Sequence, residues 1–151
     1  MTNWSNFKNI NAKQLNEQAK SLNKGDFEEV PVGKYEVRIE GMELKPTKTT
    51  GAPMLAVKFR IVHGDFENRL IFMNQVILMG NEHDAMRVSI ANRFLESLGT
   101  DVPVDFEGVE EYQALIERIF NTLDQMGLEY LLDFGERNGF KTYKIAEVYD
   151  K

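Results

Sequence analysis

The sequence predicts a mainly β domain with helices (α+β), and three observations point there. Residues 33–39 and 55–61 alternate apolar and polar side chains with period two, as strands with one buried face do. Between residues 84 and 126 the apolar spacing switches to three and four, the helical period. Asn138-Gly139 then separates two runs rich in β-branched and aromatic residues, a hairpin signal.

The bounds set by composition are consistent with this. At 151 residues the chain reads as one main domain, long enough to bury a real core. With 42% hydrophobic and 28% charged residues it has a globular rather than a disordered composition. The absence of cysteine excludes disulfides, thiolate metal sites and a thiol nucleophile. No apolar run reaches bilayer length, so no membrane association is expected. The opening MTNWSNFKNINAKQ lacks the apolar stretch of a signal peptide, and a cytoplasmic location is expected.

Residues 1–29 read as an N-terminal helical arm and residues 30–151 as the main domain. In the arm, Asn11 is placed to cap a helix, with Gln14 at its third position and Gly25 beyond its end. Its apolar positions (Ile10, Leu15, Ala19, Leu22) are sparse, which suits a surface helix. Trp4 and Phe7 are expected to pin the N-terminus to its own domain, with a neighbouring subunit as the alternative.

The first strand, about 33–45, puts Tyr35, Val37 and Ile39 on one face and Lys34, Glu36, Arg38 and Glu40 on the other. After Gly41 the parity changes, and Met42 and Leu44 take the apolar side. A glycine at such a switch predicts a β-bulge. The loop KPTKTTGAP, expected to be flexible, returns into a strand at about 54–63, where Leu55, Val57, Phe59 and Ile61 alternate with Ala56, Lys58 and Arg60. HGDF reads as a turn, and a third strand is expected at about 66–78, with a bulge near Leu70 and Ile71.

A helix at about 84–98 carries Met86, Ile90, Ala91, Phe94, Leu95 and Leu98 on one stripe and stops at Gly99. After the connector TDVPVDFEG, a helix at about 108–126 spaces Val109, Tyr112, Ile116, Ile119, Leu123 and Met126 like a heptad seam. It is too short for a coiled coil and reads as a helix plugging the core. The closing hairpin spans about 128–149. Three meandering strands, a helical insertion and a hairpin fit a five-stranded OB-type barrel; a small sandwich or a lipocalin-like fragment is the alternative. OB-type barrels bind oligonucleotides or oligosaccharides on strands two and three and with the loops joining strands one–two and four–five. Here those loops are Lys45–Pro53 and Glu136–Gly139.

Charge is segregated along the chain. The net charge is −6, yet residues 30–62 hold Lys34, Arg38, Lys45, Lys48, Lys58 and Arg60 against Glu36, Glu40 and Glu43. Residues 101–133 hold nine carboxylates and a single cation, Arg118. A local basic face attracts an anion even on an acidic molecule, because salt screens charge beyond about 8 Å. The candidate nucleic-acid-binding cations are Arg38, Lys45, Lys48, Lys58 and Arg60, with Arg137 and Lys144 on the hairpin. Lys141 has the opposite parity to Lys144, so a regular strand cannot turn both to one groove. Phe72 and Tyr143, with Phe140 behind them, are the candidate stacking platforms, each stacked base contributing about 1–3 kcal/mol.

Catalysis finds no support in the residues. His63 lies in a turn and His83 at a helix start, neither with the partners of a metal site. A Walker-type phosphate loop and a GxSxG elbow are both missing. The expectation is a protein that is not an enzyme and takes no metal or cofactor.

The block VGKYEVRIEGMELKPTKTTGAPMLAVKFRIVHGDFENRLIFMN resembles a family of phage and prophage proteins grouped with single-stranded DNA-binding proteins, long known only as a domain of unknown function. The resemblance rests on Gly33-Lys34-Tyr35, Lys45 through Gly51, Leu55 through Ile61, and Gly64 through Phe72 with its Arg69-Leu70-Ile71-Phe72 run. It covers about residues 30–80. It implies an OB-type fold and sequence-tolerant binding of single-stranded DNA, with RNA as the alternative, during phage replication or recombination in a bacterial host. Phage or host replication and recombination proteins are the further partners expected, with homo-oligomerisation through the arm or the seam. The ending AEVYDK is not the acidic tail with which many bacterial single-strand binders recruit partners, so recruitment through it is not expected. A second class of reading is a protein-interaction module whose β face docks a recombinase or helicase through the acidic helices. Carbohydrate binding would call for exposed aromatics where this face carries lysines.

Overall fold

The computed structural model describes residues 11–21 and 30–150. The expectations for Trp4, Phe7, Ile10, Leu22 and Gly25 lie outside the described residues, as does the packing of Ala19. Helix α1 (Ala12–Ser21) starts where its cap signal puts it: the Gln14 N–H donates to Asn11 Oδ1 at 3.0 Å.

The main body is mainly β with helices. Strands β1 (Gly33–Pro46), β2 (Pro53–Ile61) and β3 (Leu70–Val76) precede helices α2 (Asp84–Glu96) and α3 (Val109–Met126), and the hairpin β4 (Glu129–Arg137) and β5 (Phe140–Tyr149) follows. All five strands form one antiparallel sheet in the order β3-β2-β1-β4-β5. β1 is shared between partners. Residues 33–37 pair with β4 and residues 37–46 with β2. The register against β2 shifts between Ile39 and Gly41, which makes Glu40 the extra residue of a bulge. That shift keeps Val37, Ile39, Met42 and Leu44 all buried, although their sequence parity changes.

The sheet is curled but not closed. Phe59 of β2 and Tyr143 of β5 stack on the inner face with centroids 6.5 Å apart. In a flat sheet three strand spacings would separate them by about 14 Å. The two edge strands also approach, and the Tyr143 hydroxyl donates to the Phe72 carbonyl of β3 at 2.8 Å. No ladder joins β3 to β5, so a side chain bridges the seam where a closed barrel would have backbone hydrogen bonds.

The helices fill the inside of the curl. α3 lies against β1, buries Tyr112, Ile116, Ile119 and Leu123, and leaves Val109 and Met126 at the ends of its seam exposed. It ends in a Schellman turn: Gly127 takes φ 66°, and the Leu128 N–H reaches Leu123 O at 3.1 Å. α2 buries Ala91, Phe94 and Leu95, with Phe94 edge-on to Phe59. Met86 and Ile90, expected on the buried stripe, are exposed because only the last turns of α2 reach the sheet. His83 occupies the cap position of α2 but its side chain makes no capping hydrogen bond. Asp84 instead accepts from the Met79 and Gly80 N–H groups at 2.8 and 2.9 Å.

The third strand is shorter than its pattern suggests. Gly64 and Asn68 both take positive φ, and the Asn68 N–H donates to Ile61 O at 2.8 Å, so the turn runs on through Asn68. From Leu70 the ladder with β2 is continuous, with no bulge at Leu70 and Ile71. The hairpin forms as expected, Asn138 and Gly139 both at positive φ. Its one irregularity lies between Leu131 and Leu132, opposite Ala146.

Tyr130 tests how the curl is anchored. Its buried hydroxyl donates to Leu98 O at 2.8 Å, tying β4 to the end of α2. Tyr130→Phe leaves that carbonyl unbonded and is expected to cost about 1–2 kcal/mol. Urea unfolding should show a lower midpoint with an unchanged slope.

Candidate nucleic-acid interface

On the outer face, the register fixes which side chains are neighbours across β1, β2 and β3. Arg38, Arg60 and Leu70 form one row; Gly41, Lys58 and Phe72 the next; Glu43, Ala56 and Asn74 a third; Lys45, Met54 and Val76 the last. Arg38 directly opposite Arg60 would be repulsive alone. The bulge residue Glu40 resolves this. Arg60 Nε donates to both Glu40 oxygens at 2.9 Å, and Arg38 Nη2 reaches Oε1 at 3.4 Å. Arg60 Nη1 also donates to Asn68 O at 2.7 Å. The Arg60 hydrogen bonds, helped by its charge and by Arg38, hold the Glu40 carboxyl below the ordinary glutamate range.

Arg60 is therefore committed to the fold, clamping the bulge to the β2–β3 turn. Arg38 is half-committed, and Lys45 sits 3.9 Å from Glu43. Lys58 makes no direct ion pair among the described residues, although its charge also helps to hold Glu40 ionised, and its cross-strand neighbour Phe72 is 56% exposed.

The loop after β1, expected to be flexible, folds into a compact hydrogen-bonded turn. Thr47 N–H donates to Ala52 O at 2.9 Å, Gly51 N–H donates to Thr47 O at 3.0 Å, and Gly51 takes φ 71°. The hydroxyls of Thr47 and Thr50 bond each other at 2.8 Å and serve the loop's own N–H groups. Lys48 and Thr49 remain exposed at the tip without side-chain partners among the described residues.

The seam between β3 and β5 holds a feature the sequence did not announce. The Tyr143–Phe72 bridge divides it into a small pocket of about 220 Å³ and a groove of about 820 Å³ that ends against α2. Met73, Phe94, Tyr143 and Ile145 give the groove an apolar floor. Lys141 and Gln75 border it from the inner face and Asn74 and Lys144, of opposite parity, from the outer rim, with Arg93 of α2; no carboxylate lines it. Lys141 is partly neutralised, 3.7 Å from Glu136 and over the Phe134 ring. Arg93 and Lys144 have no ion-pair partner among the described residues. Phe140, at the mouth, is 76% exposed.

The predicted site thus separates into parts. Lys58 and Phe72 meet on the outer face, with Arg38 one row away; Lys48 stands at the loop tip; Lys144 lines the groove; Arg137 lies beside Phe140 at the hairpin end. Tyr143 is half-buried between Phe59 and Phe134, and burial raises its hydroxyl pKa. It seals the seam instead of offering a free ring face. Arg93 was missed because its pattern is that of any exposed helix position, and only the curl brings it to β5. The acidic residues lie elsewhere, Asp105, Glu107 and Glu111 lining a separate pocket with Arg118. Among the described residues no three His, Asp or Glu side chains converge as metal ligands, and no helix is long and apolar enough to cross a membrane.

Residues 16–121 match the family described as protein of unknown function, DUF669, and with more than half of its length matched the chain belongs to that family. No curated protein matches the sequence.

The Glu40 clamp has a pH signature. Its carboxyl keeps its charge to lower pH in the folded chain than in the unfolded one, so the unfolded chain binds more protons in the window between the two. The clamp's stabilisation is present above the ordinary glutamate pKa and is lost as pH falls through the folded value. Glu40→Gln is expected to lower neutral-pH stability by up to about 1 kcal/mol. In denaturation series at descending pH the difference from wild type should shrink below about pH 4.

Proposed function

We propose that the chain binds single strands of nucleic acid, DNA in the first instance, without catalysis and without strong sequence preference. The observation that carries this is the distribution of unneutralised charge. On a protein of net charge −6, four cations without an ion pair among the described residues border this side of the molecule: Lys48 at the loop tip, Lys58 beside Phe72 on the outer face, and Arg93 and Lys144 at the carboxylate-free groove. Exposed Phe72 and Phe140 interleave with them, the pairing of cationic track and aromatic platform that single-strand binders use.

On this reading the curled sheet is an OB-type barrel left open at its β3–β5 seam. The strand order, the bulged first strand shared between two partners, and the helices between β3 and β4 support it. The phage setting, replication or recombination in a bacterial cytoplasm, follows from the resemblance of residues 30–80 to phage single-strand binders. Recombinase or helicase partners and self-association belong to the same proposal.

Fluorescence anisotropy with labelled oligo-dT over a salt series tests it. Four unpaired cations predict a slope of log affinity on log salt of about −3, at ~0.7 per phosphate. Lys58→Ala should weaken binding to all sequences alike and flatten that slope by about 0.7. Phe72→Ala should cost about 1–3 kcal/mol of affinity. Both sites are at the surface, so unfolding midpoints should not move. Absence of binding at low salt, or equal affinity for duplex, would falsify the reading in favour of a protein-docking role.

A further inference from the structure

The seam groove is built differently from the track that leads to it. It does not run through. The Tyr143–Phe72 bridge shuts one end and α2 the other, so a strand cannot pass along it lengthwise. Its volume, about 820 Å³, falls within the range of sites that enclose one small ligand. A site for phosphate alone has no use for an apolar floor of Met73, Phe94, Tyr143 and Ile145. A site for a purely apolar ligand has no use for Arg93 and Lys144 on a lining that holds no carboxylate, Asp133 standing across from Lys144 outside it. The amides on the β3 wall add a third element. Asn74 has no side-chain bond among the described residues, and Gln75 spends one donor on Val76 O at 3.3 Å. Each amide offers both donor and acceptor, the complement of a nucleobase edge.

We propose that the groove holds a single nucleotide turned out of the bound strand, an inference that rests on the single-strand reading above. The base lies over the apolar floor with its edge toward Gln75, and Asn74 and Phe140 stand at the rim. Its phosphate is held by Arg93 and Lys144. The groove is then the one place where the protein senses the base itself, while the outer face senses backbone charge and stacking.

Two experiments on the full chain test this. Amide spectra of the ¹⁵N-labelled protein, titrated with dAMP, should show saturable shifts at Asn74, Gln75, Thr142 and Lys144. Deoxyribose 5-phosphate and inorganic phosphate should not reproduce them at the same concentration. In the second, an abasic oligonucleotide carrying one central base should bind about tenfold tighter than the fully abasic strand. Asn74→Ala combined with Gln75→Ala, neither of them in the cationic track or its aromatic platforms, should erase that advantage and leave the affinity for the abasic strand unchanged. Equal affinity of the two strands, or shifts of equal size from sugar phosphate, overturns the base site and leaves single-strand binding standing. Failure of every strand to bind at low salt overturns both.

Discussion

β1 pairs with β4 along its first half and with β2 along its second, and the extra residue at Glu40 is what allows one strand to do both. A regular strand would carry its apolar face out of the core beyond Gly41. The bulge turns that face back and bends the strand, and the bend sets the curl of the whole sheet. The curl in turn brings β2 within ring contact of β5 and draws the two edges together. Glu40 then ties Arg38 and Arg60, which the register would otherwise set against each other. One residue serves strand bending, charge balance and attachment of the β2–β3 turn.

The same geometry explains how an acidic molecule keeps a usable basic surface. Most of the carboxylates of residues 101–133 lie on the exposed side of α3 and along the connector before it, while α3's apolar face points into the curl. The connector is extended, Val102, Val104 and Phe106 packing inward and Asp101, Asp105 and Glu107 facing water. The cations of the sheet and the groove line other surfaces. Screening over about 8 Å makes such local sign more important to an incoming phosphate than the total.

Much of the fold is legible in the sequence because it rests on local chemistry. The Asn11 cap, the Gly41 bulge, the Asn138-Gly139 turn and the plugging stripe of α3 each follow from a few adjacent residues. Where reading fails, a non-local partner decides. Phe66 has strand-like neighbours, but the hydrogen bonds of Asn68 and Arg69 to Ile61 extend the turn past it. Met86 and Ile90 have helical spacing, yet only the later turns of α2 meet the sheet. At the site, parity places Lys58 and Phe72 side by side correctly. It cannot reveal that Arg60 is held by Glu40, though Glu40 stands on the same outward face two positions from Arg38. Nor can it reveal Arg93 in the groove, which exists only once the sheet has curled.

The bridge from Tyr143 to Phe72 also bears on which part of the molecule opens first. Every other strand junction is a ladder of many cooperative hydrogen bonds, while the seam has one side-chain bond. β5 is thus anchored along a single edge, and its outward N–H groups have no backbone acceptor in the sheet. The two edge strands, β3 and β5, each held by one ladder, are accordingly expected to exchange their amides faster than β1. One wall of the groove is therefore a strand whose local opening free energy sets how wide the groove stands, and whatever fills the seam stabilises the hairpin in the same act.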